Sequence, residues 1–223
     1  MDDTSSLQDR LQRTLVTGRA LAPAPWLFPT VLRLLARGVP VAVGDVAAAT
    51  RRNLAEVRAA IEDVTDIELD EEGRIVGYGL TLRPTRHRFE VGGKALYTWC
   101  ALDTLMFPAL LGDSAVVQSP SPLSAAPVRV EVGPDGVRSV DPADAMVSIV
   151  TPDEGSAVRA SFCDHVHYFA STAEGQEWVA QHPTATVVPV EEAFRLGSSM
   201  AQQLELAAGP GPHDQEPSGH GCC

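Results

Sequence analysis

The chain has 223 residues, with 17 Lys and Arg against 29 Asp and Glu, a formal net charge of −12. That length suits one large domain or two small ones, and the acidity argues against a phosphate-backbone partner, which needs clustered Lys and Arg. The 44% hydrophobic content is ordinary for a globular protein, and no apolar run reaches the length of a membrane span.

Residues 1–18 read as a weak amphipathic helix, with Leu7, Leu11 and Leu15 on one face and Asp9, Arg10 and Arg13 solvated. Met1-Asp2-Asp3-Thr4-Ser5-Ser6 is acidic and polar and lacks signal-peptide character. Trp26–Arg37 predicts a stronger helix, with Pro29 in its first turn and Gly38 as its stop. Asp45 is expected to cap a short helix, Val46–Thr50. Asn53 caps another, Leu54–Val64, in which Leu54, Val57 and Ile61 share a face and Glu56 forms a variant capping box. Ile67-Glu68-Leu69 and Ile75-Val76-Gly77-Tyr78 flank the turn Asp70-Glu71-Glu72-Gly73 and predict a hairpin. Three helices and a hairpin give the order of a winged helix. The candidate recognition helix carries Glu56, Glu62 and Asp63 against Arg58, after Arg51 and Arg52, and the hairpin tip is acidic. Groove reading needs the opposite balance, so this module reads as a structural or substrate-covering part.

Leu80-Thr81-Leu82 and Arg88-Phe89-Glu90-Val91 read as strands, closed by Gly92-Gly93. Next comes Ala95–Pro108, apolar nearly throughout and read as a buried helix that Pro108 ends or kinks. On such a helix Cys100 and Asp103, three apart, lie on one face. Residues 115–150 alternate as strands: Val128, Val130 and Val132 share one face, and Met146, Ser148 and Val150 another. Pro120 and Pro122 stiffen a loop, and Gly133-Pro134-Asp135-Gly136 makes a turn. In Ser161–Ala170, a period of two puts Cys163, His165 and His167 on one strand face. Glu174–Gln181 reads as a helix, Val187–Val190 as a strand and Val190–Leu206 as a helix. The Gly- and Pro-rich tail beyond, ending in Cys222 and Cys223, reads as disordered. The expected fold is α+β: a winged-helix-like part over 1–80, a mixed sheet and helix catalytic part over 81–208, and a tail over 209–223.

The four cysteines, Cys100, Cys163, Cys222 and Cys223, do not space as a disulfide framework, which suits a cytoplasmic protein with reduced thiols. Three chemistries are open to them. Zinc could take Cys100, Cys163, His165 and His167, although zinc motifs bring ligands in close pairs. Thiol hydrolysis needs a base and an oxyanion site, and no oxyanion donors are identifiable. Paired thiolates could capture a soft metal or organometal, with Asp103 as a buried acid beside them. Burial favours the protonated form of such a carboxyl.

The runs Gly77–Leu82, Tyr97–Leu110 (Tyr97-Thr98-Trp99-Cys100-Ala101-Leu102-Asp103-Thr104-Leu105-Met106-Phe107-Pro108-Ala109-Leu110) and Ser161–Phe169 together resemble the alkylmercury lyases (organomercurial lyases). The resemblance spans about residues 20–205. It implies protonolysis of a carbon–mercury bond to a hydrocarbon and Hg(II), with no organic cofactor and with external thiols releasing the product. It places the catalytic pair of thiols at Cys100 and Cys163 and the acid at Asp103, the same three groups then holding the Hg(II) product. Trp99 and Phe162 are expected to line a pocket for the organic group. The resemblance also implies mercuric reductase as a downstream partner, with Cys222 and Cys223 as a relay. Two positions depart from some members: no further cysteine stands around Ser119–Leu123, and Asp164 replaces a second cysteine after Cys163. The competing reading, a winged-helix metal-responsive transcription regulator, would call for basic residues on the recognition helix.

Overall fold

Among residues 24–151 and 157–209, which the computed structural model describes, three short helices come first. The expected helix over 1–18 and the tail with Cys222 and Cys223 lie outside the described residues. Helix α1, Leu27–Leu35, buries Leu27, Phe28, Val31, Leu32, Leu34 and Leu35, and Gly38 follows at φ +79°. Helix α2, Val43–Thr50, starts earlier than expected. Asp45 is not its cap: it sits in the first turn, where its carboxylate accepts the Ala42 N–H at 2.9 Å. Helix α3, Leu54–Glu62, is capped by Asn53, whose Oδ1 accepts the Glu56 N–H at 2.9 Å. The Glu56 side chain pairs with Arg52. Val57 and Ile61 are buried as expected, but Leu54, in the first turn, is 50% exposed.

Strands β1 (Glu68–Leu69) and β2 (Ile75–Tyr78) form the predicted hairpin. At its turn Asp70 Oδ1 accepts the N–H groups of Glu72 and Arg74, a side chain standing in for the backbone of a turn. The hairpin continues into β3 (Leu80–Thr81), β4 (His87–Val91), β5 (Lys94–Thr98), β6 (Ala115–Pro120), β7 (Pro127–Gly133) and β8 (Gly136–Asp141). These make one eight-stranded antiparallel sheet in the order β1-β2-β3-β5-β4-β6-β7-β8. Hydrogen bonding therefore crosses residue 80 without a break, through Gly77↔Thr81 and Leu80↔Thr98.

The expected helix over Ala95–Pro108 is corrected at both ends. Lys94–Thr98 is a strand, because Gly92 and Gly93, at φ +55° and +71°, fold it back onto His87–Val91. Such a two-residue turn needs positive φ at both positions. The helix proper, α4, is Ala101–Leu111, and it runs through Pro108 to Gly112. The proline removes one backbone bond, but burial of Leu105, Met106, Phe107 and Leu110 holds the turn together around it. Helix α4 packs on the last helix, α7 (Val190–Ala208), where Gly197 lets the two helices approach: a Cβ there would meet the Met106 backbone at 3.3 Å.

The second sheet has three strands, with β9 (Met146–Val150) between β10 (Tyr168–Phe169) and β11 (Ala185–Pro189). The expected strand over Ser161–Ala170 is mostly absent. Val158–Ser161 is a short helix, α5, and Cys163–His165 is a single 3-10 turn. The N–H groups of His165 and Val166 bond the carbonyls of Phe162 and Cys163, so they are closed locally and unavailable to a sheet. Cys163, His165 and His167 therefore do not share a strand face. Helices α6 (Thr172–Gln181) and α7 (Val190–Ala208) complete the chain.

Gly79 marks where hairpin, sheet and α4 meet. It sits at φ +75°, its carbonyl accepts the Trp99 N–H at 2.9 Å, and a Cβ there would lie 2.9 Å from Phe107 Cζ. Gly79→Ala should lower stability by about 1–3 kcal/mol, from left-handed strain and the clash. A urea midpoint that matches the parent would refute this account of the junction.

Candidate active site

The site is built at the start of α4. Strand β5 ends at Thr98, whose hydroxyl donates to the Cys100 carbonyl at 2.8 Å. Cys100 is then the N-cap of α4, with extended backbone at φ −142°, ψ 170°. Its sulfur accepts the Asp103 N–H at 3.4 Å, and the Asp103 carboxylate accepts the Cys100 N–H at 3.2 Å. This is a capping box with a thiol in the place of the usual hydroxyl. The expected proximity of Cys100 and Asp103 is real, but its cause is capping of a helix start and not a shared face of a continuous helix.

Cys163 arrives from the 3-10 turn. Its placement depends on Val166, whose carbonyl accepts the Ala101 N–H at 3.1 Å. From the other side Ser148 holds the turn: its Oγ donates to the His165 carbonyl and accepts the His167 N–H, each at 2.8 Å. The two sulfurs and a carboxylate oxygen of Asp103 all lie within 4.8 Å of one another. Cys100 is 1% exposed, Cys163 5% and Asp103 8%, and both thiols are free.

The electrostatics follow from this burial. Desolvation pushes the Asp103 carboxyl up from 3.8 to about 7, against the proximity of the Cys100 side chain and the hydrogen bonds it accepts from the backbone of Cys100 and Trp99. Burial drives the Cys100 thiol well above its ordinary value, helped by its hydrogen bond to Cys163 and by the Asp103 charge. That same bond from Cys100 favours a thiolate at Cys163, but burial and the carboxylates of Asp103, Asp164 and Asp66 outweigh it and leave Cys163 raised too. Both thiols are therefore held in the protonated form in the free site.

Trp99 and Phe162 flank the cysteines and are buried. Arg159 lies over the Trp99 ring, 4.9 Å from its centroid, and pairs with Glu68 of the hairpin. The wing is therefore tied to the edge of the site, a link that sequence reasoning missed because Glu68 and Arg159 are 91 residues apart. His165 is exposed, and His167 instead stacks against His87 at 6.2 Å and meets Trp178 edge-on. Neither joins Cys100 and Cys163, so the four-ligand zinc arrangement is not formed.

A family model for alkylmercury lyase matches residues 80–202, and a model for the helix-turn-helix domain of alkylmercury lyase matches residues 5–79. The chain is 47% identical over 223 residues to an alkylmercury lyase of Staphylococcus epidermidis, covering 100% of this chain and 99% of that protein. It is 50% identical over 198 residues to one from Streptomyces lividans, covering 89% of this chain and 92% of the relative. In fold it is similar to a crystal structure of the mercury-bound form of MerB2, with a TM-score of 0.75 at 21% identity over 90% of this chain and 100% of the other. Matched along nearly its whole length, the chain belongs to the alkylmercury lyase family.

Proposed function

We propose that the chain cleaves the carbon–mercury bond of organomercurials by protonolysis, with Cys100 and Cys163 as the mercury ligands and Asp103 as the proton carrier. The observation that carries this reading is the buried cluster itself: two free thiols and a carboxyl within 4.8 Å, in a chain of this family.

Carbon bound to two-coordinate mercury is a poor base, and adding a second soft donor pushes electron density towards it. Thiolates are the donors a soft metal prefers. Cys163 takes the organomercurial first and gives up its proton to solvent, since Cys100 is the thiol whose proton Asp103 is placed to receive. Coordination then acidifies Cys100, since a thiol that binds a metal loses its proton. Asp103 is already hydrogen-bonded to Cys100 and accepts that proton. As the Cys100–mercury bond forms, Asp103 passes the proton to carbon and the carbon–mercury bond breaks. The balance is one organomercury cation and two thiols giving one hydrocarbon, one mercury bis-thiolate and one proton. No organic cofactor enters this sequence, and external thiols then remove Hg(II).

Trp99 and Phe162 form the apolar wall for the departing organic group. The family assignment supports an enzyme, and the acidic recognition helix gives a DNA-binding regulator no footing. We read the free buried thiols as those of a cytoplasmic protein. Among the described residues no helix is long and apolar enough to cross a membrane. The adjacent thiols of Cys222 and Cys223 support a relay of Hg(II) towards a mercuric reductase.

Incubation with phenylmercury and excess thiol should yield benzene. Cys100→Ser and Cys163→Ser should each abolish it, and near-normal turnover by either variant would sink the two-thiolate mechanism.

Asp103→Asn should bind the organomercurial and fail to cleave it. Because Asp103 must be a carboxylate to accept the Cys100 proton, kcat/KM should rise with pH through about 7. The sign for stability is opposite. The folded state holds the Asp103 proton more tightly than the unfolded chain, so stability falls as pH rises from about 4 through about 7. The melting temperature of Asp103→Asn should therefore gain on the parent between pH 4 and pH 8, and a constant difference would show that Asp103 is not raised.

Truncation after Ala208 should leave the first turnover intact and slow later ones when external thiol is scarce. A tethered thiol pair acts at an effective concentration on the order of millimolar. Equal rates across a thiol titration, and equal Hg(II) transfer to a reductase, would dismiss the relay.

A further inference from the structure

Cys100 and Cys163 stand on segments far apart in sequence, so the span between their sulfurs depends on what joins those segments. Besides the contact between the thiols themselves, two hydrogen bonds run directly between them. One is the backbone bond from Ala101 to Val166. The other joins side chains: Thr104 Oγ and the Tyr168 hydroxyl lie 2.7 Å apart. Thr104 and Tyr168 are each 0% exposed, and the mechanism uses neither.

The direction of this bond follows from its neighbours. Thr104 Oγ also lies 2.7 Å from the Ala101 carbonyl, which can only accept. The one Thr104 proton goes there, so Tyr168 donates to Thr104. Burial holds the phenol protonated well above its ordinary range, so the donor persists at every working pH. Tyr168 is anchored in turn by pairing with Val147 in the small sheet. The loop that bears Cys163 is therefore gripped by Ser148 on one side and hung from the Cys100 helix by Tyr168 on the other.

We propose that Tyr168 is a positioning residue: by donating to Thr104 it clasps the Cys163 loop to the first turn of the Cys100 helix and sets the span across which the two thiolates hold mercury. This rests on the two-thiolate reading above. A site of this kind needs its groups held within about 0.5 Å, and a misplacement of about 1 Å is worth roughly 100-fold in rate.

Three full-length variants test the clasp. Tyr168→Phe keeps the ring and leaves Thr104 bonded to Ala101, so it strands no buried donor. Thr104→Val removes the acceptor, and Thr104→Ser preserves it. Hg(II) affinity is read by competition with a small dithiol, and cleavage by single-turnover release of benzene from phenylmercury. In Tyr168→Phe, Hg(II) affinity and the single-turnover rate should fall together by about tenfold or more, with KM for phenylmercury unchanged, since the first thiolate alone sets capture. Thr104→Val should fall likewise, and Thr104→Ser should match the parent. Parental Hg(II) affinity and rate in Tyr168→Phe would overturn the clasp. So would equal losses in kcat and KM accompanied by failure of Thr104→Ser, which would mark a packing role. If the parent bound Hg(II) through both sulfurs but released no benzene, the lyase reading would fail, while the Hg(II) competition would still decide the clasp.

Discussion

The site depends on the reciprocal cap between Cys100 and Asp103. A helix start leaves several N–H groups without partners, and a buried start must satisfy them from the chain itself. Here a thiol and a carboxylate do so for each other. The helix start favours negative charge by about 0.3–1 kcal/mol when exposed, up to about 2 when partly buried. Burial opposes it. Moving the Asp103 carboxyl from 3.8 to about 7, at about 1.4 kcal/mol for each tenfold change in proton affinity, exceeds the dipole. The cap therefore pairs a carboxyl that titrates near neutrality with a thiol that stays protonated there, where a cysteine at an exposed helix start would tend towards thiolate.

That balance suits a site that must deliver a proton as well as bind a metal. A pair of permanent thiolates would hold mercury but have nothing to give to carbon. Burial, the hydrogen bond to Cys163 and the Asp103 charge keep Cys100 protonated in the free site, and in the proposed reaction that proton passes to Asp103. Burial and the nearby carboxylates hold Cys163 protonated as well.

The winged-helix part contributes through the sheet. The hairpin strands share hydrogen bonds with β3, and β3 with β5, which leads directly into Trp99 and Cys100. Arg159 joins Glu68 of the hairpin to the face of Trp99. The wing, which in a DNA-binding protein would face a groove, here forms one edge of the catalytic sheet.

Local chemistry was legible in the sequence wherever neighbours in the chain settle the structure. The Asn53 cap, the Asp70 turn, the Gly133–Gly136 turn and most helices follow from side chains acting within a few residues. The unusual run around Cys100 and Asp103 marked the site because three-residue spacing brings side chains together at a helix start as well as along a helix. Lys94–Thr98 and the Cys163 segment depart from expectation for one reason: runs this short hold too few residues to separate a helical period from a strand's or a turn's. Only the fold back across Gly92-Gly93 made the first a strand, and only the grip of Ser148, Val166 and Tyr168 made the second a turn. The sequence marked Cys100, Asp103 and Cys163 as the candidate groups, and the fold brings them together. The tertiary structure decided the distance between the sulfurs, the raised proton affinity of both thiols and the removal of His165 and His167 from the site, because each arises from contacts between distant segments and from the exclusion of water.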